Sequence, residues 1–281
     1  MKREDTPPKA GASDGELPSR RINLLSGPGR ALRARRPLFI GLSVIAILWQ
    51  LSTYFLPPII APPLQDIAAA IWQIFSSYEQ LVHLLTTGLR VLVALIVSFI
   101  IGAVLGIAMG TFDKVNEYAK PLLHFVQGIP ALSWVIFAVI WFANVELRIG
   151  FILLIVTMPA FALYIDGAVR SVRLDFVHLG QAFRASWVQR FRMITIPAIV
   201  PEVMSSWVVN LGAGVRVAMV AELIGSTTGV GFQLLNAQAL FDMAGAIAWT
   251  LSLVTLLSVY LGAIGFVESR LLAWRPRGER E

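Results

Sequence analysis

Apolar side chains in this chain run in unbroken blocks rather than in one-sided stripes, over roughly 37–56, 86–110, 121–142, 149–166, 202–222 and 246–268. Blocks of about 18 residues or more are long enough, as helices, to cross a hydrocarbon layer about 30 Å thick. The pattern therefore predicts six spans. Polar stretches and helix breakers separate them, among them Leu56-Pro57-Pro58 and Ala61-Pro62-Pro63 after the first block. Residues 64–85 predict a helix on the membrane surface, with Asp66, Glu79 and His83 on its polar side. The stretch 1–36 is rich in Pro, Gly, Ser and Arg and has no apolar periodicity, so it reads as a disordered cytoplasmic tail. No small-residue cleavage site follows the first block, which reads as an uncleaved first span and not a signal peptide. The expectation is an all-α polytopic membrane domain over 37–270, with a short cytoplasmic tail at 271–281.

Composition agrees with that class. Hydrophobic residues make up 57% and charged ones 14%, where a soluble domain carries about a quarter charged. Cysteine is absent, which removes disulfide and thiolate chemistry. The net charge of +6 does not point to nucleic acid, because the basic residues gather at span boundaries and not along one soluble face. Lys and Arg number 9 in 1–36, 2 in 111–120, 5 in 166–201 and 4 from Arg270 onward, which is 20 of 23 on one side of a six-span chain. The positive-inside rule assigns that side, and with it both termini, to the cytoplasm of a bacterial inner membrane. The three basic residues left over are Arg90, Arg148 and Arg216.

One cytoplasmic loop, about 167–201, is unlike the rest. Ser186-Trp187-Val188-Gln189 has the form of a capping box, in which hydroxyl and amide satisfy each other's backbone N–H groups. A helix begun there runs to about Thr195 and sets Trp187, Phe191 and Ile194 on one apolar stripe. Phe176, Leu179 and Phe183 make a similar stripe before it, and Arg184, Arg190 and Arg192 supply a cationic face. Both short helices are expected to stop by Pro197 and Pro201. Such a loop is either a solvated segment whose arginines only enforce topology, or a docking element for a cytoplasmic partner.

The residues Phe191-Arg192-Met193-Ile194-Thr195-Ile196-Pro197-Ala198-Ile199-Val200-Pro201 end this loop. With Ala221-Glu222-Leu223-Ile224-Gly225, Gly229-Val230-Gly231 and Gln127-Gly128-Ile129-Pro130 leading into Trp134, the chain resembles the permease subunit of binding-protein-dependent ABC importers of the nitrate/sulfonate/taurine group. The likeness covers about 80–270. It implies a type I importer permease fold. It also implies that Phe176, Leu179, Phe183, Arg184, Ser186, Trp187, Gln189, Phe191, Arg192, Ile194 and Pro197 form a coupling element seated in an ATPase subunit. The family's loop carries Glu-Ala-Ala, three residues, then Gly; here those positions hold His178, Leu179 and Gly180, and then Arg184. Glycine there serves a left-handed turn, which Arg adopts only against steric strain.

No Gly-Lys-Ser/Thr phosphate loop is present, so ATP and Mg are expected at a partner ATP-binding subunit and no cofactor on this chain. The remaining expected partners are a second permease subunit, the same or a different chain, an extracytoplasmic solute-binding protein and the lipid bilayer. Arg216 and Glu222 fall in the fifth block, where ionisable groups are costly and functional by default. Six residues apart, they stand about 240° apart on a helix at about 100° per residue and do not pair. Arg216 reads as a cation along the route of an anion or as half of a structural pair. Glu222 reads as a group near the pathway or as a boundary carboxylate bonded to a neighbouring helix. Gly225-Ser226-Thr227-Thr228-Gly229-Val230-Gly231 follows a helix and so reads as a tight turn, not a phosphate cradle. His83, His124 and His178 lack metal-ligand spacing. Asp166 and Asp175 flank the loop, solvated or paired with its arginines. The expected function is the transmembrane permease subunit of an ABC importer for a small solute such as nitrate, a sulfonate or taurine. An ATP-independent secondary transporter is the alternative, and an intramembrane enzyme a more distant one.

Overall fold

The computed structural model describes residues 28–172, 184 and 186–273, and side chains for residues 37, 39–172, 184, 186 and 188–273. The described residues are helical, without strands. Two compact units are separable, Met1–Leu48 and Trp49–Glu281. In the first lies most of α1 (Pro28–Ser52), whose apolar side chains from Phe39 onward are largely exposed.

The second unit holds the rest. After α2 (Leu64–Ser76), extended backbone at Ser77 (φ −91°, ψ 123°) breaks the chain, and α3 runs from Tyr78 to Thr111. The expected surface helix 64–85 is thus divided, and its second half belongs to a 34-residue helix. At about 1.5 Å per residue, such a helix is about 51 Å long and overshoots a hydrocarbon core by some 20 Å. His83, Thr87 and Arg90 lie in its N-terminal half.

The expected third span is broken. α4 (Asp113–Gly128) and α5 (Ala131–Trp141) meet at 89°. Ile129, forced out of helical geometry by the following proline, sits at φ −78°, ψ 125°, and Pro130 cannot donate to continue the helix. α6 (Val145–Ser171) follows, opened by the Asn144 side chain accepting from the Glu146 and Leu147 amides.

The segment from Ser186 to Pro201 also departs from expectation, because Pro197 and Pro201 do not end its helix. α7 (Trp187–Arg190), a π-helical turn (Phe191–Thr195) and α8 (Ile196–Gly225) form one continuous rod from Val188 to Gly225. Pro197 has no N–H and its ring crowds the carbonyl four residues back. The widened turn, in which the Ile196 N–H reaches Phe191 O, accommodates it. A short α9 (Val230–Ala239) and a long α10 (Met243–Leu271) complete the unit.

Among the described residues, four helices are long and apolar enough to cross a membrane, five if α4 and α5 count as one span, and Phe39–Ser52 is a shorter apolar helix. The core lies between α3, α6 and α8, around Val91, Leu95, Ile152, Phe161, Leu211 and Ala218. α3 and α6 are held backbone to backbone by the small-residue series Ser98, Gly102, Gly106 and Gly110. A Cβ at Gly102 would lie 2.9 Å from Met158 O, and one at Gly106 2.5 Å from Ala162 O. Small residues at this spacing let membrane helices approach closely where burial of apolar area gives no drive.

Candidate functional site

The segment expected to couple to an ATPase leads into the N-terminal end of α8. Its capping box forms as read: Gln189 Oε1 accepts from the Ser186 N–H at 2.8 Å, and Ser186 Oγ from the Gln189 N–H at 3.3 Å. Arg184 has φ +53°, the left-handed conformation for which the glycine of the related pattern is suited. The turn is kept and the strain accepted. Phe191 and Ile194 are half-buried, while Val188, Gln189, Arg192, Met193 and Ile196 are exposed. The π turn shifts the register that an ordinary helical period would give. Pro197 lies in the first turn of α8. Phe176, Leu179 and Phe183, like Asp175 and His178, lie outside the described residues, as does the side chain of Trp187.

Glu222 stands at the other end of α8 and is fully enclosed, with 0% exposure. It accepts from Arg90 Nη1 at 2.8 Å, from Thr87 Oγ1 and from the Gly231 N–H at 3.0 Å. Arg90 reaches further, through Nε to Glu146 Oε2 at 2.9 Å, and through Nη1 and Nη2 to Thr228 O and Oγ1. Thr87 Oγ1 accepts from the Val230 N–H at 2.8 Å, and His83 Nδ1 from the Gly229 N–H at 3.0 Å. Arg148 donates to Gly225 O and Phe142 O, filling carbonyls left open at the ends of α8 and α5. Arg90, Thr87, His83, Arg148 and Glu222 each have a bond to residues 225–231. Gly229 is at φ +106°, and a Cβ there would collide with the Glu222 carboxylate, so only glycine closes this turn.

Glu222 is therefore a boundary carboxylate bonded to neighbouring helices. The sequence reading missed Arg90, Thr87, His83, Glu146 and Arg148 as its companions. A signal existed for two of them, since Arg90 and Arg148 are basic residues outside the cytoplasmic set. Their partners lie up to 138 residues away and leave no local pattern.

Arg216 is placed differently. It is exposed, and no hydrogen bond or ion pair is made to it by the described residues. Its guanidinium lies along Gly212, with Nη1 3.7 Å from the position a Cβ would take there. Glu202, Ser205, Val209, Arg216 and Ile224 share one exposed stripe of α8. Nine residues separate Arg216 from Gly225, or about 13.5 Å of helix rise, which is close to half the thickness of a hydrocarbon core. Arg216 and Glu222 do not meet, in keeping with their angular separation.

Asp166, expected to be solvated or paired with the arginines of its loop, is buried and bonded to one of them, Arg170, and to Asn116 and Lys120. No group of three or more His, Asp or Glu side chains suited to a metal occurs among the described residues.

This arrangement of helices and turns is shared with known proteins. The taurine transport system permease protein TauC of Escherichia coli is 28% identical over 202 residues, 69% of this chain and 70% of that one. The formylaminopyrimidine transport permease protein ThiX of Halalkalibacterium halodurans is 24% identical over 253 residues, 88% of this chain and 99% of that one. An inward-facing structure of the MetNI methionine ABC transporter matches in fold, with a TM-score of 0.53 and 16% identity over 72% of this chain and 100% of that one. The family model described as the binding-protein-dependent transport system inner membrane component matches residues 98–273. The chain belongs to that family, the transmembrane permease subunits of ABC importers.

Proposed function

We propose that this subunit conducts a small anion along the face of α8 that bears Arg216. The observation that carries the reading is an exposed guanidinium near the middle of a span, with no counter-charge from the described residues. Leaving a cation isolated there costs about 2.5–3.5 kcal/mol even on lenient insertion scales. Water, an anion or a group from another subunit must therefore face it. A planar fork of donors suits an oxyanion better than a spherical ammonium does. Similar permeases are named for taurine, aliphatic sulfonates, bicarbonate and nitrate, all of which carry anionic oxygens.

In this reading a second permease subunit, of the same or a different chain, closes the opposite wall of the route. A solute-binding protein delivers the anion on the outer side. A separate ATPase, using ATP and Mg, seats the segment from Phe176 to Pro197 on the cytoplasmic side, where both termini also lie. Closure of the ATPase displaces the rod of α7, the π turn and α8 as one piece, and alternating access follows. Glu222 serves the outer end by holding the 225–231 turn, without facing solute.

Membrane abundance and uptake, measured together, test the role of Arg216. Arg216→Gln is expected to stay abundant and assembled while uptake of the anion falls by an order of magnitude. Arg216→Lys recovers part of it. Normal uptake in Arg216→Gln overturns the pathway role. Loss of protein alongside uptake assigns Arg216 to a structural pair with another chain.

A further inference from the structure

At the cytoplasmic end of the span bundle, Asp166 is 1% exposed and sits six residues before Val172, which ends α6 and leads into the coupling segment. Its Oδ1 accepts from Asn116 Nδ2 at 2.7 Å and from Arg170 Nε at 2.9 Å, and its Oδ2 from Lys120 Nζ at 3.3 Å. Arg170 in turn donates to Asp113 Oδ1 at 3.0 Å and to Met109 O at 2.7 Å. Two acids and two bases form a neutral quartet that ties α6 to α4 and to the end of α3.

α4 has little else to hold it. Asp113, Asn116 and Lys120 stand on one face at helical spacing, and the apolar seam beside it is the buried Leu123 with the half-buried Val115 and Ala119, against Met109 and Ala162. Tyr118, Leu122 and Phe125 are exposed. Nor is α4 free at its far end, since it turns through Gly128–Pro130 into α5, whose Val135 and Ala138 are part of the main core. A polar helix with so narrow an apolar seam follows a neighbour through its ion pairs more than through burial. α6 itself cannot slip against α3, because the glycine series locks their backbones together.

We propose that Asp166 is a positioning residue for energy coupling. It makes α4 move with the α6 arm of the coupling segment, so that a displacement at Val172 reaches α5 through the bend at residues 129–130. The inference rests on the reading of that segment as the seat of an ATPase. It adds a second route, through α4 and α5, to the direct one through the α7–α8 rod.

Asp166→Asn is a fair test. It keeps the shape of the side chain, and the two cations it releases are 45% and 37% exposed and can turn to water. The variant is expected to reach the membrane in normal amount, to retain the ATPase on purification and to hydrolyse ATP. Solute imported per ATP hydrolysed is expected to fall by an order of magnitude. The chain has no cysteine, so in an Asn116→Cys/Asp166→Cys variant a short bifunctional thiol reagent re-ties the two helices specifically. Import per ATP is then expected to rise with the extent of cross-linking.

Wild-type import per ATP in Asp166→Asn overturns the proposal. So does loss of protein or of ATPase, which makes the quartet purely structural. Full cross-linking without recovery rejects the mechanical tie. Failure of the unaltered chain to retain an ATPase refutes the underlying docking reading instead, and separates the two failures.

Discussion

Arg90→Gln probes the clamp around Glu222, and the structure sets the size of its effect. Arg90 holds two carboxylates whose surroundings differ. Glu146 is 62% exposed, so its bond to Arg90 is screened and contributes about 0–1 kcal/mol. Glu222 has no exposure, and Arg90, itself 7% exposed, is the cation bonded to it. Removing Arg90 leaves Glu222 with the Thr87 hydroxyl and the Gly231 N–H, an uncompensated buried charge costing about 3–5 kcal/mol. The buried arm dominates. Unfolding in a detergent titration should show a loss of that order for Arg90→Gln and less than about 1 kcal/mol for Glu146→Gln. The double variant Arg90→Gln/Glu222→Gln removes the stranded charge and should recover at least half of the loss, because the two sites share one interaction. A loss below about 1 kcal/mol for Arg90→Gln, or no recovery in the double variant, would falsify the assignment of Glu222 as a charge neutralised by Arg90.

Two further outcomes bear on the backbone. Gly106→Ala must move the Ala162 carbonyl or the Ile165 side chain, and should destabilise the subunit by about 1–3 kcal/mol. Gly150→Ala, with open space around the new methyl, should not destabilise it, and equal effects in the same unfolding assay would refute close packing of α3 on α6. Arg184→Gly relieves a left-handed arginine, a strain of about 1–2 kcal/mol, against an entropy cost of about 0.5–1 kcal/mol. A small net gain in resistance to proteolysis at the loop is expected, and faster cleavage would contradict the strained turn.

Properties that depend on neighbouring residues were legible without the fold. The apolar blocks, each long enough to cross a bilayer, outlined the membrane helices and the class of protein. The capping box at Ser186 and Gln189 formed because three residues of helix bring its two halves together. The left-handed turn at Arg184 followed from the position that a related pattern reserves for glycine. The 89° bend had its local cause in view at Ile129-Pro130, but one long apolar block concealed it, since hydropathy is blind to a break that keeps its flanks greasy. The same blindness hid the π turn, where prolines that ordinarily end a helix are absorbed by a wider backbone ring.

Tertiary structure alone decided which charges are neutralised. Glu222 meets Arg90 from 132 residues away, and Asp166 meets Lys120 from 46. Nothing in local spacing sets those distances; they follow from the close approach of α3 to α8 and of α4 to α6. Packing buried Glu222 and Asp166 among partners, and the same packing left Arg216, on another side of α8, exposed and without a partner among the described residues. A sequence can show that a charge lies within a span. Whether that charge is a structural clamp or a group open to solute depends on which face the helix turns to its neighbours.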